Sequence, residues 1–196
     1  MFGLHNWEPV FVDTTDEVLG LCRQIHADII GHKVECSWVP WLLKDDKWWQ
    51  GAPVILRINS INYEFCWQKE SDCAVTRNTI NIEEPVRWCD CDELAFFWKK
   101  DGLPALQNIV GQQVNGIDLL EAEVTISNHS EGFQNNYWLP YGINFKLCGG
   151  FLSIYNAFDL NGVTDNINDY PSPYGFGTNR VADGITANDG FRLISL

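Results

Sequence analysis

The sequence predicts an α+β protein made by tandem duplication, in which a helix followed by an antiparallel β-meander occurs twice and the two units pack on each other. Three matched blocks carry this expectation. Glu8-Pro9-Val10 followed by Asp16-Glu17 returns as Glu84-Pro85-Val86 followed by Asp92-Glu93, an offset of 76. Ile29-Ile30-Gly31-x-x-Val34 returns as Ile109-Val110-Gly111-x-x-Val114 at an offset of 80, and Ile61-Asn62-Tyr63-x-Phe65-Cys66 returns as Ile143-Asn144-Phe145-x-Leu147-Cys148 at 82. Blocks in one order at nearly constant spacing mark an internal repeat. The expected units are 7–82 and 83–158, followed by a Gly/Asn/Asp-rich loop tail, 159–196, that ends in a strand.

In the first unit, Thr14-x-x-Glu17 is a capping box. Val18, Leu21, Cys22, Ile25 and Ile29 then recur at helical spacing, and Gly31 supplies the left-handed stop. After the glycine the period changes. Residues 34–43 read as a strand, Lys44-Asp45-Asp46-Lys47 as its turn, and 54–58 as a second strand. Ile61, Tyr63, Phe65 and Trp67 alternate with Asn62, Glu64, Cys66 and Gln68, which predicts a strand with one buried face. Residues 73–79 complete the meander.

In the second unit, Asp90-x-x-Glu93 takes the cap role, and Leu94, Phe97 and Trp98 match Val18, Leu21 and Cys22. The helix breakers Asp101-Gly102-Leu103-Pro104 are expected to split this helix before Gly111 ends it. Strands follow at 114–127, 137–139, 143–148 and 151–158, with Gly149-Gly150 as a tight hairpin. The tail holds five Gly, five Asp and five Asn, and Phe191-Arg192-Leu193-Ile194-Ser195-Leu196 is its expected strand.

Composition bounds the function. Of 196 residues, 45% are apolar and nine are Trp, ample material for a core and incompatible with general disorder. A unit of about 80 residues is marginal alone, so the halves should pack together. Thirteen basic against 26 acidic residues leave a net charge of −13, which repels polyphosphates and argues against nucleic acid and anionic membranes. A basic protein partner fits that charge, as does plain solubility. The first residues lack a signal-peptide pattern and no segment reads as a membrane span. Seven cysteines, an odd number, predict free thiols in the cytoplasm.

Metal and catalytic patterns are weak. Cys66, Cys73, Cys89 and Cys91 are spaced C-x6-C-x15-C-x-C and lack the C-x2-C knuckle of zinc sites, so Cys66 and Cys148 are expected instead to be small core-edge residues at equivalent strand positions. Asp159, Asn161, Gly162, Asp165, Asn166 and Asp169 place oxygen ligands close together but fail the calcium-loop order, and Asn161-Gly162 reads as a turn. No cofactor or metal is expected. His5, His26, His32 and His129 sit in no nucleophile motif, and the chain has no phosphate loop or dinucleotide fingerprint. Trp38, Trp41, Trp48 and Trp49 crowd one hairpin that has no counterpart in the second unit. With Asp159, Asn161 and Asp165 of the unshared tail they form the candidate interaction surface, the alternative for the tryptophans being burial.

The run Gly150-Phe151-Leu152-Ser153-Ile154-Tyr155-Asn156-Ala157-Phe158-Asp159-Leu160-Asn161-Gly162, arriving after Ile143-Asn144-Phe145-Lys146-Leu147, resembles the C-terminal hairpin of small uncharacterised bacterial domains, among them immunity-type proteins of toxin systems. That resemblance implies a cytoplasmic, non-catalytic bacterial protein that binds another protein. The leading expectation is therefore a non-enzymatic protein-binding module, monomeric or homodimeric. The alternatives are a small-molecule or carbohydrate-binding protein using the Trp-rich hairpin or the cleft between units, and an enzyme with its site between the units.

Overall fold

A computed structural model of the chain describes residues 3–5, 7–84, 86–87, 95–128, 133–157, 159–166 and 185–196. Its elements are α1 (Thr15–Ile29), β1 (Val34–Leu42), β2 (Lys47–Trp48), β3 (Val54–Ile58), β4 (Ile61–Gln68), β5 (Asp72–Arg77), β6 (Val86–Arg87), β7 (Ala95–Lys100), α2 (Pro104–Ile109), β8 (Val114–Asn128), β9 (Phe133–Leu147), β10 (Gly150–Asn156), β11 (Asn161–Thr164) and β12 (Ile185–Ser195). They build two antiparallel sheets. The seven-stranded first sheet runs β5-β4-β3-β1-β7-β6 with β2 also on β1, and the five-stranded second sheet runs β11-β10-β9-β8-β12.

This overturns the α+β duplication of a helix plus a meander. Strand, not helix, dominates, with twelve strands and two helices among the described residues. The error lies in the second unit. Phe97 and Trp98, expected on a helix, belong to β7, which pairs with β1 through Trp41↔Phe97 and Pro40↔Trp98. Large aromatic side chains pack well on a pleated surface and lose rotamer freedom in a helix, and here that preference outweighs helical spacing. The expected cap residues Asp90 and Glu93, with Leu94, lie outside the described residues. Asp101-Gly102-Leu103-Pro104 does not split a helix. It starts one, because Pro104 occupies the first turn of the six-residue α2, where its missing N–H costs nothing.

The matched letters around Gly31 and Gly111 fall on two glycine turns that bond each other reciprocally. Gly31 N–H donates to Val114 O (2.8 Å) and Gly111 N–H to Val34 O (2.8 Å). Val34 N–H donates to Gln112 O (3.0 Å) and Val114 N–H to His32 O (2.9 Å). Both glycines have φ near +80° (82° and 84°), a conformation that strains any residue with a Cβ.

α1 forms as expected. The Thr14 side chain accepts from Glu17 N–H, and Val18, Leu19, Cys22, Ile25 and Ile29 are buried. The Asn59-Ser60 turn joins β3 to β4 with both residues at positive φ (53° and 63°), as a two-residue hairpin requires. Between the sheets, Phe65 meets Phe145 edge-on at 5.4 Å between ring centres. Val39, Leu56 and Tyr63 of the first sheet share this core with Leu119, Ile143 and Ile154 of the second and with Ile25 and Leu106 of the helices.

The expectation of one buried face for β4 also fails, since Asn62, Glu64 and Cys66 are as buried as their neighbours. A second core covers the other face of the first sheet, in which Leu4, Trp7 and Ile80 pack on Trp38, Ile55, Cys66, Phe96 and Trp98. Glu64, only 1% exposed, anchors this layer. It accepts from Thr79 N–H (2.8 Å), Ile80 N–H (3.3 Å) and the hydroxyls of Thr76 (2.5 Å) and Thr79 (3.0 Å).

β12 begins at Ile185, six residues before the expected strand, and pairs with β8 on the second sheet. No helix among the described residues is long and apolar enough to cross a membrane.

Candidate functional site

Alternation along the first hairpin divides the four tryptophans between two faces of the first sheet. Trp41 pairs with Trp48 on one side and Phe97 on the other, which places three rings in one row across β2, β1 and β7. Trp38 and Trp49 point the other way, as residues an odd number of positions along a strand must. Trp38 is buried beneath the Arg57 guanidinium, 4.9 Å from its ring centre, and Trp49 packs on Phe96 at 4.9 Å. Trp38 is thus part of the second core and the partly buried Trp49 packs against it, while Trp41 and Trp48, equally partly buried, pack against the core between the sheets.

The row that remains is half open. Phe97 is 38% exposed, and Leu43, which extends the β1–β7 ladder by donating its N–H to Ala95 O, is 57% exposed. The Lys99 Nζ lies 3.4 Å from the centre of the Trp41 ring, and Trp41 Nε1 donates to Asp46 Oδ1 at 2.7 Å. The Trp48 Nε1 is buried with no hydrogen-bond acceptor among the described residues.

The other expected site residues each bond to another part of the fold, Asn161 from a buried position, Asp165 from a partly buried one and Asp159 from an exposed one. Asn161 is fully buried between the sheets. Its Nδ2 donates to Gln50 O (2.9 Å) and Ala52 O (3.1 Å), and its Oδ1 accepts from Trp67 N–H (2.8 Å). Asp159 accepts from Lys69 N–H (2.6 Å), and Asp165 accepts from Asn108 Nδ2 of α2 (2.8 Å). The three side chains share no partner and bond to separate parts of the fold, so they do not converge on an ion.

Cys66 and Cys73 face opposite sides of the first sheet, Cys66 in the second core and Cys73 beside Cys22 in the core between the sheets. Burial pushes the thiols of Cys22 and Cys66 up to about 12 and that of Cys73 well above its usual range. Cys89, Cys91 and His129 lie outside the described residues. Among the described residues no three His, Cys, Asp or Glu side chains gather closely enough to hold a metal ion.

Sequence reasoning missed a polar row on the outer face of the second sheet. Thr164, Ser153, Asn144, Asp118 and Ser195 stand in register across β11, β10, β9, β8 and β12. The first four are buried, and Lys146 Nζ pairs with Asp118 at 2.8 Å. Ser153, at 0% exposure, has no hydrogen-bond partner for its Oγ among the described residues. β8, β9 and β10 each show a signal, a polar residue between two apolar ones in Ile117-Asp118-Leu119, Ile143-Asn144-Phe145 and Leu152-Ser153-Ile154. Their alignment depends on register, which those triplets do not specify.

No protein-family model, curated protein or solved structure matches the chain. The geometry itself defines an antiparallel two-sheet β protein with a partly exposed aromatic row at one end of its larger sheet.

Proposed function

We propose that the protein is a non-enzymatic binding module that takes a basic protein partner on the surface formed by Trp41, Trp48, Phe97 and Leu43. The observation that carries this reading is the contiguity of the row: three paired rings and an adjoining leucine, with Phe97 and Leu43 both open to solvent. Contiguous exposed apolar surface marks interaction sites, and Trp is among the residues that dominate binding energy at interfaces. The net charge of −13 favours encounter with a cationic partner.

A protein partner fits this surface better than a sugar. Trp41 and Trp48 pack against the inter-sheet core, which leaves Phe97 and Leu43 as the open part of the row, an apolar edge suited to a side chain of a protein. The reading places the protein in the bacterial cytoplasm, as a monomer or homodimer of the immunity-like kind. The free thiols Cys22, Cys36, Cys66, Cys73 and Cys148 support that compartment.

Affinity capture from the native host at low salt tests the proposal. The wild-type chain should retain a basic protein that Phe97→Ser and Leu43→Ser release. Retention of the same proteins by wild type and both variants would overturn it.

A further inference from the structure

We infer that the partner's central contact is a lysine or arginine side chain laid against the Trp48–Trp41–Phe97 row, where it exchanges with Lys99. This rests on the protein-binding reading above and names the chemistry that the same surface recognises. The Lys99 ammonium sits 3.4 Å from the Trp41 ring centre, and no carboxylate of the described residues forms an ion pair with it. A cation that takes a ring face rather than a carboxylate reports a local potential that favours positive charge there.

Two features reinforce that potential. Asp46 accepts the indole N–H of Trp41 at 2.7 Å, which places a full negative charge at the ring edge and enriches the π face. The flanking rings of Phe97 and Trp48 have no ring or cation partner among the described residues, and Phe97 is 38% exposed, so the row holds one ammonium with an open ring beside it. Lys99 itself is only partly buried and hangs on a flexible stem, so it can leave the ring for water at small cost. An incoming guanidinium is planar, weakly hydrated and able to lie flat on such a ring, which suits it to replace the lysine. Phe97 and Leu43 supply the adjoining apolar contact that the Lys99 stem does not.

The test measures fluorescence anisotropy of labelled twelve-residue peptides, one rich in Arg and Lys and one rich in Glu, with the full chain at low salt. The basic peptide should bind and the acidic one should not. Lys99→Ala should tighten basic-peptide binding about three-fold or more, the size expected of one exposed cation–π contact freed for the ligand. Lys100→Ala removes an equal charge from the opposite face of β7, next to Trp38, and should change binding less than about two-fold. Phe97→Ser should weaken it several-fold. Equal effects of Lys99→Ala and Lys100→Ala, or wild-type affinity in Phe97→Ser, would show that net charge alone draws the peptide and would overturn the inference. The capture experiment would still decide separately whether the surface binds a protein.

Discussion

The hairpin carrying Trp41 and Trp48 and the segment 159–165 are used by the fold in opposite ways. In the segment, the polar groups of Asp159, Asn161 and Asp165 each meet a specific partner elsewhere in the fold, and Asn161 alone ties β11 to Gln50 and Ala52 of the β2–β3 loop and to Trp67 of β4. In the hairpin, Trp38 alone of the four tryptophans is buried, Trp49 packs partly buried on the second core, and Trp41 and Trp48 pack partly buried on the core between the sheets, where the exposed Phe97 and Leu43 extend their row. Conspicuous composition is thus a poor guide to exposure. What separates the regions is whether each side chain's bonding and packing capacity is already satisfied.

Substitutions that act on one region and not the other sharpen this contrast. The largest stability loss is expected from Asn161→Ala, which removes three hydrogen bonds and leaves the buried Trp67 N–H without its acceptor. The cost should be about 3 kcal/mol, read as a lower urea midpoint. A loss below about 1 kcal/mol would show that the tie is dispensable. Asp159→Ala removes one bond to an exposed backbone N–H and should cost about 1 kcal/mol. Phe97→Ser and Leu43→Ser should stay within about 1 kcal/mol of wild type, because both side chains are already largely hydrated.

Ser153→Ala should be neutral or slightly stabilising, by up to about 1 kcal/mol, because it deletes a buried hydroxyl that lacks a partner. A clear destabilisation would reveal a partner for that hydroxyl.

The buried thiols provide a separate check on the two cores. In a Cys89→Ser/Cys91→Ser background, Cys148 should react quickly with a thiol reagent, while Cys22, Cys36, Cys66 and Cys73 should react only on unfolding. Burial raises the folded-state pKa of Cys22 and Cys66 from 9.0 to about 12, so the unfolded chain loses these protons first. Their contribution to stability is therefore intact below pH 9 and falls as the pH climbs toward 12. A stability curve flat across that window would contradict their burial.

Features whose cause is local were readable from the residues alone. Thr14 and the spacing from Val18 to Ile29 specify α1, and the glycine stops fall where the positive φ requires them. Features that depend on partners distant in the chain were not. The run Ala95-Phe96-Phe97-Trp98 is compatible with either period, and its pairing with β1 decides for a strand. The burial of Glu64 and Cys66 needs Leu4, Trp7 and Ile80 to cross the outer face of the first sheet. Trp41 and Trp48 stood out as candidate surface residues. Phe97 and Lys99 did not, since only the β1–β7 pairing brings them beside Trp41, and Leu43, two residues beyond Trp41 on the same face, carries no signal of its exposure.

The most direct test of the aromatic row as the binding surface is the yield of captured basic partner on immobilised Phe97→Ser relative to wild type, with the unfolding midpoints of the two proteins matched. The expected result is a drop of about ten-fold or more at nearly unchanged stability, in keeping with an aromatic anchor at the centre of an interface. An unchanged yield would contradict the account.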